Sequence, residues 1–326
     1  MFAIETKDLT RRFGDVVAVE KLSIQVESGE VFGLLGPNGA GKSTTLNMLC
    51  TILKPTSGSA LVNGLDVDRE PNRVRESIGI VFQDPSVDNR LTGRENLEMH
   101  AELYGVEKQL ALSRIEELLR LVELDFRADD LVKTYSGGMR RRLEIARGLI
   151  HHPKVLFLDE PTIGLDPQTR AKIWDYIKRL TVEEEITIIL TTHYMDEAEL
   201  LCDRVGIIDH GKIVALGKPS DLIRDVGEDL ATLRIEDNSR ASEFDGAPFV
   251  RRVYTGESVS LVLNDGGSTL PKLFEYAASK GIKILSIELR RPTLNDVFLH
   301  YVGRELRAEH GDGKDRMRLM RRRRGL

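Results

Sequence analysis

The run Gly36-Pro37-Asn38-Gly39-Ala40-Gly41-Lys42-Ser43-Thr44 carries the most concentrated chemistry in the chain. Its spacing, Gly36-x4-Gly41-Lys42-Ser43, lets the backbone bend so that successive N–H groups point inward and form an anion nest. A helix starting after it would add unpaired N-terminal amides and the positive end of its dipole. Lys42 would then reach the β- and γ-phosphates of a nucleoside triphosphate, and the Ser43 hydroxyl would ligate Mg2+. A second element, Val155-Leu-Phe-Leu-Asp159-Glu160, sets two carboxylates where an apolar run stops. Asp159 would hold Mg2+, usually through water, and Glu160 could take a proton from an attacking water. Singly, these read as a glycine turn with a surface lysine and an acidic pair in a solvated turn. Together they point to phosphoryl chemistry.

Such groups need rigid elements beneath them. Val31-Phe-Gly-Leu-Leu35 suits a buried parallel strand, and Leu46, Leu49 and Leu53 then recur at helical spacing, which gives strand, glycine loop, helix. Short strands are expected at Phe2–Ile4, Val16–Val19 and Leu22–Val26, the last alternating with period two. Residues 95–122 read as largely helical with a break near Gly105, while Leu143, Ala146 and Ile150 mark the inner face of another helix. Val155–Leu158 and Ile186–Leu190 are further buried-strand candidates, separated by a helix from about Gln168 to Leu180. This alternation predicts a parallel sheet covered by helices.

The pattern loosens around 224–230, expected to be a linker between a domain over 1–223 and a small α+β domain over 231–303. In the second unit Val259, Leu261 and Leu263 alternate along one strand and Leu285, Ile287 and Leu289 along another. Leu270, Leu273, Phe274 and Ala277 form a helical stripe between them, and Thr293 with Asp296 resembles a capping box before Leu294.

At 326 residues the chain fits one large domain plus a smaller companion, and 41% hydrophobic with 30% charged residues is the composition of a soluble globular protein. The apolar runs fall far short of the roughly 18 residues a membrane span requires. Glu5, Lys7 and Asp8 interrupt any signal-like stretch, and Cys50 and Cys202 make neither a disulfide framework nor a metal pattern. The expected home is the cytosol. Net charge is −5, yet residues 304–326 hold nine Lys/Arg against four Asp/Glu, which leaves −10 on residues 1–303. That argues against nucleic acid as a partner. The end of the chain, Arg316 to Arg324, reads as a basic, disordered tail, or as a segment drawn to anionic lipid at a cytoplasmic membrane surface.

A third motif, Tyr135-Ser136-Gly137-Gly138-Met139, precedes Arg140-Arg-Arg-Leu-Glu-Ile-Ala-Arg147, with twelve residues between Arg147 and Glu160. It resembles the signature loop of ATP-binding-cassette (ABC) ATPases, and the resemblance runs over residues 4–220. It implies an α/β P-loop NTPase fold: a RecA-like parallel core, an antiparallel β subdomain and a helical subdomain, here followed by the small α+β domain. It also implies ATP and Mg2+ as cofactors. Phe13 matches the aromatic that stacks on adenine; Gln83 matches the loop glutamine that contacts Mg2+ and the attacking water. Pro161-Thr-Ile-Gly164-Leu165-Asp166 matches the loop after the catalytic glutamate, with Asp166 at the nucleotide, and His193 matches the switch histidine. In this family two cassettes dimerise head to tail, each ATP lying between one phosphate loop and the other's Ser136, Gly137 and Gly138. The signature usually has Leu and Gln where this chain has Tyr135 and Met139, and Phe13 stands for the more usual Tyr.

Leu91-Thr-Gly-Arg-Glu-Asn-Leu97 and Tyr104-Gly105 resemble drug-exporter cassettes, and Asp296-Val-Phe-Leu-His-Tyr-Val-Gly-Arg304 resembles the extension of the daunorubicin/doxorubicin resistance type. This implies a separately encoded transmembrane permease, docked near Gln83–Glu95, and a peripheral place on the cytoplasmic face of the cell membrane. It further implies efflux of a hydrophobic drug or antibiotic. A soluble, ribosome-associated or regulatory ABC factor usually carries two cassettes, whereas this chain has one phosphate loop. A chromosome-organising ATPase would insert a long coiled coil, but only 92 residues lie between Ser43 and Ser136, without sustained heptads. A small-molecule kinase or GTPase would leave Ser136–Gly138 and His193 unexplained. Arg140–Arg142 read as a solvated or interdomain face, and Trp174 and Cys50 as packing residues.

Overall fold

The computed structural model describes residues 1–302 except 184, 228, 256–257 and 264–265; the basic tail lies outside the described residues. In chain order the first domain comprises β1 (Phe2–Phe13), β2 (Val16–Leu22), β3 (Gln25–Glu27), β4 (Val31–Leu35), α1 (Lys42–Leu49), β5 (Ser57–Val62), β6 (Leu65–Asp66), α2 (Pro71–Ser77) and β7 (Ile78–Val81). It continues with α3 (Gly93–Leu103), α4 (Lys108–Leu121), α5 (Gly137–Leu149), β8 (Val155–Asp159), α6 (Pro167–Glu183), β9 (Thr187–Thr192), α7 (Met195–Leu201), β10 (Arg204–Asp209), β11 (Lys212–Gly217) and α8 (Pro219–Val226).

The central sheet runs β11-β10-β4-β9-β8-β7 among the described residues, parallel except for β11. Its inner strands are covered on both faces: every residue of β4, β8 and β9 is buried, and their middles are apolar. Register brings their ends level. Leu35 pairs with Thr192, Asp159 with Thr191 and Leu158 with Val81, so four strands release their chains at one edge. Open parallel sheets bind ligands beyond the carboxyl ends of their strands.

A second sheet, β2-β1-β5-β6 with β3 also on β1, packs with α1 on one face of the central sheet, where Ile4, Val62, Leu46, Leu49 and Phe157 share a core. Here the expected single strand Leu22–Val26 is broken. Side-chain hydroxyls take over the ladder at the break: Asp8 N donates to Ser23 Oγ (2.9 Å) and Ile24 N to Thr6 Oγ1 (2.9 Å). The opposite face carries α5, α6 and the α3–α4 pair. α3 starts at a capping box, with Glu95 N donating to Thr92 Oγ1 and Thr92 N to Glu95 Oε2 (3.1 and 2.7 Å), a device worth about 1 kcal/mol. The helical stretch breaks at Gly105, as its pattern predicts.

The small domain contains β12 (Asp229–Ile235), a 3-10 segment (Asn238–Gly246), β13 (Val250–Thr255), β14 (Val259–Leu263), α9 (Gly266–Ser279), β15 (Ile284–Arg290) and α10 (Leu294–Val302). Its sheet order is β13-β14-β12-β15. Two expectations need correction. Arg224–Val226 and Asp229–Leu230 are not part of a loose linker: the first finish α8 and the second open β12, with Val226 and Leu230 buried. Leu285, Leu289 and Phe274 are exposed, because β15 is an edge strand and the contact with α9 is carried by Leu273, Ala277 and Ile287.

Candidate active site

β4 ends into the loop at Gly36, and α1 begins at Lys42. Gly41 sits at φ +112°, a conformation that side chains rarely adopt, and a Cβ there would lie 2.5 Å from the Ala18 carbonyl oxygen. The loop therefore closes tightly against β2 with its amides at the head of the helix. Lys42 is 5% exposed; its Nζ donates to the Gly36 and Pro37 carbonyls (2.7 and 3.2 Å) and lies 3.3 Å from Glu160 Oε1. Burial lowers the Lys42 pKa, opposed by the neighbouring Glu160 and Asp159 carboxylates.

The end of β8 answers this cation. Asp159 Oδ1 accepts from Ser43 Oγ (3.1 Å) and from the Thr191 hydroxyl. A hydroxyl beside a carboxylate is the hard-oxygen donor set that suits Mg2+, which usually takes its remaining ligands from phosphates and water. Ser43 and Asp159 thus fit the ion. The Glu160 carboxylate bridges two groups, Lys42 on one oxygen and His193 Nδ1 on the other (2.9 Å). Burial would raise the Glu160 pKa, but the hydrogen bond from His193 and the charges of Lys42 and His193 outweigh it and hold the group below its ordinary value. An ionised carboxylate only accepts, so His193 Nδ1 carries the proton of that bond. Glu160 also sits in the left-handed region at φ +48°, its N–H shared between the Thr191 carbonyl and hydroxyl (both 3.1 Å).

The remaining motif residues occupy separate places. Phe13, 44% exposed at the end of β1, offers an open ring with the Arg11 guanidinium 4.6 Å from its centroid. Gln83 is exposed just past β7, and no hydrogen bond joins it to Ser43, Asp159 or Glu160 among the described residues. Asp166 has both its oxygens taken by its own turn, by Thr169 N (3.0 Å) and the Thr169 hydroxyl (2.6 Å), which lower its pKa. Ser136 is the N-cap of α5, accepting from Met139 N (3.2 Å), and Gly138 lets the helix approach α6 closely, where a Cβ would meet Thr169 Cγ2 at 2.4 Å. A cavity of about 160 Å3 opens beside it, lined in part by Met139, Arg142, Gln168 and Lys172. No hydrogen bond or ion pair joins Ser136 to Lys42 or Ser43 among the described residues.

Sequence reasoning missed several side chains. Arg141 is not on a solvated face; it is 7% exposed and bonded to the carbonyls around Glu160. Its spacing with Ile145 and Gly148 on the buried side of α5 was the available signal. Glu197, fully buried on α7, accepts from the Thr162 hydroxyl (2.9 Å) and Trp174 Nε1 (3.0 Å), so Trp174 is more than packing. Burial raises the Glu197 pKa. Tyr135 is buried, and its hydroxyl donates to the Arg127 carbonyl (2.7 Å) in room left by Gly93.

A parallel sheet with a phosphate loop, an Asp-Glu pair and a separate Ser-Gly-Gly helix start defines a cassette ATPase, and the chain belongs to the ABC transporter ATP-binding proteins. The family model described as "ABC transporter" matches residues 19–163, and that described as "ATP-binding protein DrrA1-3-like, C-terminal domain" matches 217–302. The chain is 40% identical to the daunorubicin/doxorubicin resistance ATP-binding protein DrrA of Streptomyces peucetius, covering 92% of each. It is 36% identical to the linearmycin resistance ATP-binding protein LnrL of Bacillus subtilis, over 93% of this chain and 99% of LnrL. Among solved structures, cbiO1 from Clostridium perfringens, part of the ABC transporter complex cbiONQ, superposes with a TM-score of 0.64 at 32% identity, over 69% of this chain and 94% of that one. A dimeric, post-hydrolysis cassette, MJ0796 bound to ADP and Pi, gives 0.60 at 28% identity, over 66% and 98%. Membership makes this chain the nucleotide-binding, ATP-hydrolysing subunit of an ABC exporter. No helix among the described residues is long and apolar enough to cross a membrane.

Proposed function

We propose that the chain hydrolyses ATP at the carboxyl edge of its central sheet and, as a dimer, drives efflux of a hydrophobic drug or antibiotic through a separate permease. The observation that carries the chemistry is the Glu160 carboxylate held between Lys42 and His193, next to the Ser43–Asp159 pair. Lys42 and the amides at the start of α1 bind the β- and γ-phosphates; the Phe13 ring stacks on adenine. Ser43 and Asp159 would hold Mg2+, with Gln83 reaching it as ATP binds; the ion supplies charge neutralisation on the phosphate oxygens. Glu160 takes the proton of the attacking water as the water oxygen bonds to Pγ and the bond to the β-phosphate oxygen breaks. His193, tied to Glu160, keeps that carboxylate oriented and brings its ring to the γ-phosphate.

Ser136, Gly137 and Gly138 complete the site of a second copy. A two-fold, head-to-tail pairing presents each α5 start to the partner's nucleotide, and Asp166, on the turn before α6, reaches the same interface. The dimeric neighbour with ADP and Pi supports this arrangement. Docking to the permease falls on the segment Gln83–Glu95 and the adjoining α3, whose Met99 and Leu103 are exposed, as is Tyr104 just after it. That places the chain on the cytoplasmic face of the membrane, as a peripheral subunit. Drug export as the task is supported by the drug resistance in the names of the relatives at 36–40% identity.

Glu160→Gln tests the reading. The variant should bind ATP, lose turnover by at least about 100-fold, and accumulate an ATP-dependent dimer on size exclusion. Normal hydrolysis by the variant would assign the base elsewhere, and a monomer under saturating ATP would remove the sandwich.

A further inference from the structure

Arg141, on the first turns of α5, has the five N–H groups of a guanidinium, and each meets an acceptor inside the protein. Nε donates to the Pro161 carbonyl (2.8 Å), and Nη2 to the carbonyls of Asp159 (3.0 Å) and Glu160 (3.1 Å). Nη1 donates to the Phe82 carbonyl and to Glu144 Oε2 (3.1 Å). Three of these acceptors belong to the turn that carries Glu160; a fourth immediately precedes Gln83. One turn further along α5, Glu144 accepts from Ser86 N (2.7 Å), and Arg147 donates to the Ser86 carbonyl (2.7 Å). Both flanks of the exposed Gln83 and the turn of Glu160 therefore hang from one face of the helix that Ser136 caps.

The Glu160 turn needs such a hold. A non-glycine residue at φ +48° is strained and persists only where its surroundings over-determine it. Thr191 fixes the Glu160 N–H from the strand side, and Arg141 fixes the carbonyls on the other. A lysine could not replace the fork, because its three donors radiate from one point.

We infer that Arg141 is a positioning residue: it locks the strained turn that aims Glu160 at Lys42 and His193, and fastens Phe82–Gln83 to the same helix. This rests on the reading of Glu160 as the base, so the experiment separates the two. The full chain and its Arg141→Met, Arg141→Lys and Glu160→Gln variants are compared for kcat and KM with Mg-ATP, for affinity toward a fluorescent ATP analogue, and for Tm.

Arg141→Met should lose kcat by about 100-fold with KM and nucleotide affinity unchanged, since misplacement of a base by an ångström costs that much. Arg141→Lys should recover part of kcat, and where the Met variant does not fold, the Lys variant should show the same split of lowered kcat and intact KM. Wild-type kcat in the Arg141 variants beside an inert Glu160→Gln overturns the role of Arg141 alone. Normal turnover by Glu160→Gln overturns the underlying reading instead. Tm, affinity and kcat falling in step in both Arg141 variants would mean a purely structural role, and the inference fails.

Discussion

The hydroxyl of Tyr135 ends where a side chain on Gly93 would begin: a Cβ at Gly93 would stand 2.4 Å from it. Gly93 opens α3, so the larger aromatic of this signature is accommodated by the helical subdomain, not by the nucleotide site. Gly93→Ala should destabilise the chain by about 1–3 kcal/mol, because the buried, hydrogen-bonded ring has little freedom to yield. In a Tyr135→Phe background the same change should cost less, and a double-mutant cycle followed by urea unfolding reads the difference. Equal costs in both backgrounds would rule out the contact. The Gly36–Thr44 and Asp159–Glu160 motifs were legible because their chemistry is local: loop, strand end and helix start follow one another in the chain. Arg141 was not, because four of its five acceptors are backbone carbonyls, from residues 82 and 159–161, and a carbonyl leaves no mark on residue type.

Among the elements, α10 shows how a helix start can be fixed by charge. Asp296, 5% exposed, accepts from Arg290 Nη1 and Nη2 (2.6 and 2.7 Å) and from the Thr293 N–H and hydroxyl (2.8 and 2.9 Å). Only the Asp296 half of the anticipated capping box forms, with Asp296 N donating instead to the Thr293 carbonyl. Burial would raise the Asp296 pKa, but Arg290 and Thr293 outweigh it and lower the value. Its stabilisation is therefore full above the unfolded carboxylate pKa of about 3.9 and is lost as pH falls through the lower folded value. Asp296→Asn should cost about 1–2 kcal/mol at neutral pH, since Arg290 is partly exposed, and its deficit in Tm should shrink only below about pH 4. A deficit that stays constant into acid would deny the ion pair its role. Parallel strands were readable from apolar runs of the right length. The strand at Leu285–Leu289 was legible too, but the exposure of Leu285 and Leu289 was not, because alternation alone does not tell which positions a neighbouring helix covers.

For the whole molecule, charge is divided unevenly: residues 1–303 carry −10, and the last 23 residues carry a surplus of five basic groups. The reading of the tail as a segment drawn to anionic lipid, at roughly 1 kcal/mol per basic residue near the surface, can be tested directly. Removing residues 316–326 should weaken adsorption to vesicles of mixed neutral and anionic lipid while leaving ATP turnover unchanged. Undiminished adsorption would deny the tail that task. The loosened pattern around 224–230 hid the burial of Val226 and Leu230, because that burial depends on partners far along the chain.

Those partners tie the two domains together. Leu222 and Val226 of α8, Leu230 and Val262 of the small sheet, and Leu294, Val297 and Phe298 of α10 lie in the same apolar cluster as Met195, Ala198 and Leu201 of α7, the helix that comes after His193. A protein built in this way cannot shed its last hundred residues like a detachable tag. A cut at residue 226 would bare a greasy wound on the ATPase itself, inviting self-association where the intact chain shows only a seam.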